Sequence, residues 1–137
     1  MDWYKDGMYP EWHLRGDNFS PKKLLQCFPN LILGRTHEKT DIKTIGTNIR
    51  QEFGYGSTVI VVDDRIDFKL EWLLDFILEN HQKVTSLGVN NEILWIVWLG
   101  IQGNMELDKG LLAKIAETGL DMAMNYYYIN DSEESDV

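Results

Sequence analysis

The residues through which this 137-residue chain could do chemistry are three histidines, a pair of adjacent aspartates, one cysteine and a serine behind a glycine. A zinc site needs several His, Cys or carboxylate side chains at spacings that bring them to one point. His13, His37 and His81 have no such spacing. His37-Glu38 begins like the H-E-x-x-H of zinc proteases, but Asp41 stands where the second histidine belongs, and the stretch does not read as helix. Asp63-Asp64 follow the apolar run STVIVV, and acids at a strand end can hold a metal or a ribose. The preceding GYGS lacks both the G-x-G-x-x-G pattern and the Walker lysine, and it leads into a strand where a phosphate loop leads into a helix. The two aspartates therefore read as turn chemistry and as favourable charge before a helix start. Cys27 sits at i+3 from Leu24 on a short helical pattern and reads as a small buried hydrophobe. Ser57 lacks the G-x-S-x-G elbow. No catalytic residue, metal ligand or cofactor is expected, and the chain reads as a non-enzyme.

Composition narrows the partner. The formal net charge is −9, and four of the acids, Asp131, Glu133, Glu134 and Asp136, crowd the C-terminal end. A phosphate backbone selects a basic face, so nucleic-acid binding is not expected. A basic protein partner suits the charge, although acidity also serves solubility alone. The hydrophobic fraction of 44% supports a packed core, and no run approaches the length of a membrane helix. One cysteine allows no disulfide framework, and the N-terminal residues carry no secretory pattern. A cytoplasmic protein without a membrane partner is the expectation.

The positioning elements follow from periodicity. Alternation over Met8 to Gly16 predicts a strand with Trp12 and Leu14 on one face and Glu11, His13 and Arg15 on the other. Ser20 is the predicted cap of a helix from Pro21 to about Phe28, with Phe19 and Leu24 as a hydrophobic staple. A short strand at Leu31 to Leu33 leads into a long excursion over 34–56 with room for a small hairpin. Ser57 to Val62 predicts a strand. Leu70, Leu73, Leu74, Ile77 and Leu78 mark the longest helix, capped by Asp67 and broken near Asn80, with a short turn through Leu87. ILWIVWLGIQG lies in a strand over 92–102. Asp108 caps a last helix that Gly119 stops, and Leu120 to Ile129 closes the chain as a strand. The order β-α-β-β-α-β-α-β predicts an α/β fold, an α+β sandwich: a twisted sheet with helices on one face, around a ferredoxin-like split βαβ kernel. One domain over 1–130 and a disordered acidic tail over 131–137 are expected.

RGDNFSPKKLL, FKLEWLLDFILE and LLAKIAETGLDMAMNYY, in that order, resemble the bacterial family catalogued as domain of unknown function 4279. The likeness covers roughly residues 9–129 and fits least over 34–57. It implies an architecture and carries over no catalytic residue.

The strand over 92–102 has two apolar rows. Ile93, Trp95, Val97, Leu99 and Ile101 form the longer one and are assigned to the helix-packed core; Leu94, Ile96, Trp98 and Gly100 are assigned to the outer face. In the last strand Met122, Met124, Tyr126 and Tyr128 are assigned inward, and Ala123, Asn125 and Tyr127 outward. The outer face then combines Trp98 and Tyr127 with His13 and Arg15, a composition typical of binding surfaces. Ile42, Ile45, Ile49 and Phe53 of the excursion could instead fold back over it. The expected partner contacts are Asp63, Asp64, Trp98, Tyr127, His13, Arg15, Glu38 and Asp41. Two functions are expected in competition. One is a small acidic binding protein of the immunity type, which neutralises a cognate, basic, nuclease-like bacterial toxin domain. The other is a ferredoxin-like domain that binds a small molecule between sheet and excursion, or that self-associates as a homodimer.

Overall fold

Strand β1 (Met8–Gly16) shows in its burial what its sequence alternates. Met8, Trp12 and Leu14 are buried; Glu11 and His13 are half-buried and Arg15 is exposed. The computed structural model describes residues 7–46, 49–100 and 106–128. After β1 come α1 (Pro21–Cys27), β2 (Ile32–Leu33), the pair β3 (Ile42–Ile45) and β4 (Ile49–Glu52), then β5 (Gly56–Val61). Next are α2 (Lys69–Thr85), β6 (Asn91–Gly100), α3 (Lys109–Thr118) and β7 (Met122–Tyr128). The chain is thus mixed α/β, with a five-stranded sheet in the order β2-β5-β1-β6-β7 and a separate antiparallel hairpin, β3-β4. β1 lies antiparallel to both β5 and β6, and β2 antiparallel to β5. β7 runs parallel to β6, which requires a crossover, and α3 supplies it.

The register settles which row of β6 faces inward. Trp12 pairs with Leu94 and Met8 with Trp98, so Leu94, Ile96 and Trp98 share the buried face of β1. All three are at most 1% exposed, and they pack in one core with Ile60, Leu73, Leu74, Ile77, Leu111 and Ile115. The expected assignment of the two β6 rows is therefore reversed. Trp98 is core and Trp95 belongs to the outer row. With both rows apolar, the strand itself carries no period-2 signal, and its neighbour β1 decides. The inward row of β7 is as expected in direction: Met122, Met124 and Tyr126 pair with Leu94, Ile96 and Trp98. At the sheet's edge they nevertheless remain 37%, 46% and 41% exposed. The side chain of Tyr128 lies outside the described residues, as do Ile101 and the tail over 131–137.

The helices depart from expectation in three places. Ser20 makes no side-chain cap bond to α1. It donates instead to Glu38 Oε1 at 2.5 Å, while the backbone N–H of Lys22 donates to Glu38 Oε2 at 3.2 Å, so Glu38 caps the helix from across the chain. Asp67 does not cap α2; Phe68 holds that position in a left-handed conformation with φ 54°. And α2 does not break at Asn80, whose amide donates along the helix to the Phe76 carbonyl at 3.1 Å. Cys27 is exposed rather than buried, because α1 buries only Pro21 and Leu24. The Asp108 cap, accepting from the Leu111 N–H at 2.8 Å, and the left-handed Gly119 stop are as the sequence predicts. Among the described residues no helix is long and apolar enough to cross a membrane.

Candidate functional site

Turning β6 over moves the site. The outer face is a ladder whose rungs the register spells out. Tyr9 sits beside Val97 and Asn125; Glu11 beside Val61, Trp95 and Ala123; His13 beside Val59 and Ile93; Arg15 beside Ser57 and Asn91. Trp95, Val97 and Ile93 are half-buried, Leu99 is 36% exposed and Tyr127 54%. His13 Nε2 and Glu11 Oε1 are 3.0 Å apart, and the His13 ring lies 5.7 Å from that of Trp95. Trp95 thus takes the outer-face role expected of Trp98.

The two ends of this face differ in charge. At the Tyr9 end a recess of about 360 Å³ is lined by Tyr9, Glu11, Asp63, Asp64 and Lys69. Asp63 is gripped by Arg65: Nη2 donates to Oδ2 at 2.6 Å, Nε to Oδ1 at 3.0 Å, and the Arg65 N–H to Oδ1 at 2.9 Å. These bonds, the side-chain ones first, hold its carboxyl down to about 2. A carboxylate with a lowered pKa favours the folded state above its ordinary value of 3.8 and loses that contribution as pH falls through about 2. Asp63 should therefore titrate near 2 in a carboxyl-resolved NMR titration. Arg65→Ala should return it toward 3.8; a carboxyl already at its ordinary value in the unaltered chain would refute the contact. Asp64 is exposed and, among the described residues, no ion pair holds it.

At the Arg15 end the excursion rises beside the sheet. His37 pairs with Ser57 through two backbone hydrogen bonds of 2.9 Å. Its ring stacks on Phe53 at 3.6 Å, and Tyr55 meets both edge-on. The Arg15 guanidinium lies 4.0 Å over the Tyr55 ring, a cation–π contact. Between this aromatic wall and the sheet is a cleft of about 580 Å³. His37 Nδ1 is buried with no hydrogen-bond partner, which costs on the order of 1–3 kcal/mol. Among the described residues the excursion stands beside the sheet as a side wall. Ile42 is 59% exposed, and the side chains of Ile45 and Ile49 lie outside the described residues.

The expected contact residues separate accordingly. His13, Arg15 and Tyr127 lie on the outer face, and Asp63 and Asp64 at one end of it. Trp98 is buried on the other side of the sheet. Glu38 is engaged at α1, and Asp41 Oδ2 accepts from the Glu38 N–H at 2.8 Å inside a turn. Sequence reasoning brought Phe53 of the excursion to this face but missed Tyr9, Arg35, His37 and Tyr55 as neighbours. Period-2 alternation of β1 carries the signal for Tyr9, but nothing in the excursion's sequence announces which aromatic reaches the sheet. Among the described residues no three His, Cys, Asp or Glu gather as a metal cluster. No protein-family model matches the chain, nor does any curated protein or solved structure.

Proposed function

We propose that the protein is a binding protein of the immunity type, without catalytic machinery of its own, that holds a basic, nuclease-like toxin domain against the acidic end of the outer sheet face. The observation that carries this reading is the recess that Tyr9 and Asp64 line together, where Asp64 is exposed and, among the described residues, held by no ion pair. An arginine or lysine of a partner would find a carboxylate there, beside a Tyr9 ring that already has the Lys69 ammonium 5.7 Å from its centroid. Leu99 and Tyr127 supply apolar and aromatic contact area on the far strands, and the overall charge of −9 steers a basic partner toward the protein. The same reading takes β1, α1, β2, β5, α2 and β6 as a split βαβ kernel of the ferredoxin-like kind, in a twisted sheet. Its support is the order β2-β5-β1-β6 with antiparallel neighbours throughout, β7 being an addition at the edge.

The test is co-expression with the product of the adjacent gene. A stable complex and protection of the host are expected. Asp64→Lys should slow association at low salt by about tenfold, as for a charge that steers encounter. Absence of both complex and protection would sink the reading.

A further inference from the structure

In a chain with net charge −9, the cleft at the Arg15 end gathers cations. Arg35 lines it and, among the described residues, no ion pair or hydrogen bond holds its guanidinium. His13 lines it too, but its Nε2 already faces Glu11 Oε1 at 3.0 Å. Arg15 faces the Tyr55 ring. Arg35 is thus the one arginine or lysine among the described residues that line the cleft. His37 adds a donor. With Nδ1 shielded and partnerless, the ring's proton is less costly on Nε2, since a buried N–H without an acceptor is the rarer orphan. Apart from Ser57, the remaining side chains are apolar or aromatic: Val59 and Val61 on the sheet, Phe53 and Tyr55 in the wall. Gly34 completes the floor, its backbone N–H bonded to the Val59 carbonyl at 2.7 Å, and with no side chain of its own. A Cβ there would lie 3.5 Å from Val59 and from Val61, so any longer side chain would grow into the cleft.

We propose that this cleft is a binding site for a flat aromatic monocarboxylate, its carboxylate on Arg35 and its ring between the valines of β5 and the His37–Phe53–Tyr55 wall. The volume of about 580 Å³ is that of a small-ligand site. A single free guanidinium suits one negative charge, and Glu11 on the same floor opposes a second. A planar fork binds a carboxylate through two parallel hydrogen bonds. This site adjoins the acidic recess and shares Glu11 and Val61 with it, but it rests on Arg35 and the aromatic wall where the protein-partner reading rests on Asp64, so either reading can fail while the other stands.

The test titrates the full chain with benzoate and with indole-3-acetate, followed by NMR. Benzamide, uncharged, and phenyl phosphate, doubly charged, are the controls. Both carboxylates should shift the methyl resonances of Val59 and Val61 and the His37 ring, and bind at least about tenfold tighter than benzamide. Arg35→Gln, at an exposed position that leaves the fold intact, should remove that preference and leave benzamide unaffected. Gly34→Leu should abolish binding of all four probes. Equal binding of benzamide and benzoate, tighter binding of phenyl phosphate, shifts confined to residues outside the cleft, or no shift at millimolar probe would each overturn the proposal.

Discussion

Trp98→Ala should destabilise the protein by about 3–5 kcal/mol, the range for removing a large aromatic from a packed core. The same change at Trp95, three residues away on the same strand, should cost about 1 kcal/mol, as at a site that solvent already reaches. Trp98 is 1% exposed, sits opposite Met8 in the register and meets the Tyr126 ring at 5.2 Å. Its removal leaves a cavity that helices and sheet cannot close without moving together. Trp95 is half-buried on the outer face against His13. Urea denaturation of the two variants, compared at matched m-values, measures the difference directly. Equal losses, or the larger loss at Trp95, would mean that β6 presents its other row to the helices.

Gly88→Ala should destabilise by about 3 kcal/mol or more, because strain and collision add there. Gly88 has φ +108°, where an L side chain is strained in any surroundings. An added Cβ would also stand 2.6 Å from the Asn18 carbonyl oxygen and 3.0 Å from the Phe19 nitrogen, which are backbone atoms with no rotamer to change. Gly119→Ala is the control. It shares the positive φ, at +70°, but has nothing within 4 Å, so it should lose only about 1 kcal/mol. Thermal melts of the two variants separate the terms; a Gly88 variant no worse than the Gly119 variant would show that the 17–20 segment gives way freely. Two more glycines face that segment or its seat. A Cβ on Gly56 would meet the Phe19 carbonyl, and one on Gly16 the Gly88 carbonyl, so the link from β1 to α1 is held by close backbone approach on both sides.

Much of the scaffold was legible because it rests on local signals. The alternation of Glu11, Trp12, His13, Leu14 and Arg15 fixes β1; the spacing of Leu70, Leu73, Leu74 and Ile77 fixes α2; Asp108 and Gly119 fix the ends of α3. The site was less legible because it rests on pairings. Trp95 and Trp98 are chemically identical in a strand with two apolar rows, and only the register against β1 separates them. Glu38 and Asp41 read as free surface acids, yet they serve a helix end and a turn that are distant or unmarked in sequence. Phe53 reaches His37 because the β3–β4 hairpin turns the chain back, and hairpin geometry is not written in the stacking residues themselves.

The edge position of β7 has a consequence for the life of the folded chain. Its seven residues, MAMNYYY, carry no charge, proline or glycine, the usual means by which an edge strand discourages other strands. Its attachment is one parallel ladder to β6 and the crossover helix α3, steadied on α2 by the Lys114–Asp75 pair at 2.7 Å. Local opening of this C-terminal unit would strip the cover from β6, whose own run from Ile93 to Gly100 is likewise uncharged. Two sticky templates would then face solvent at once. The chain's resistance to aggregation is therefore set at its last crossover, and less by the global stability of the core than by how rarely that corner lets go.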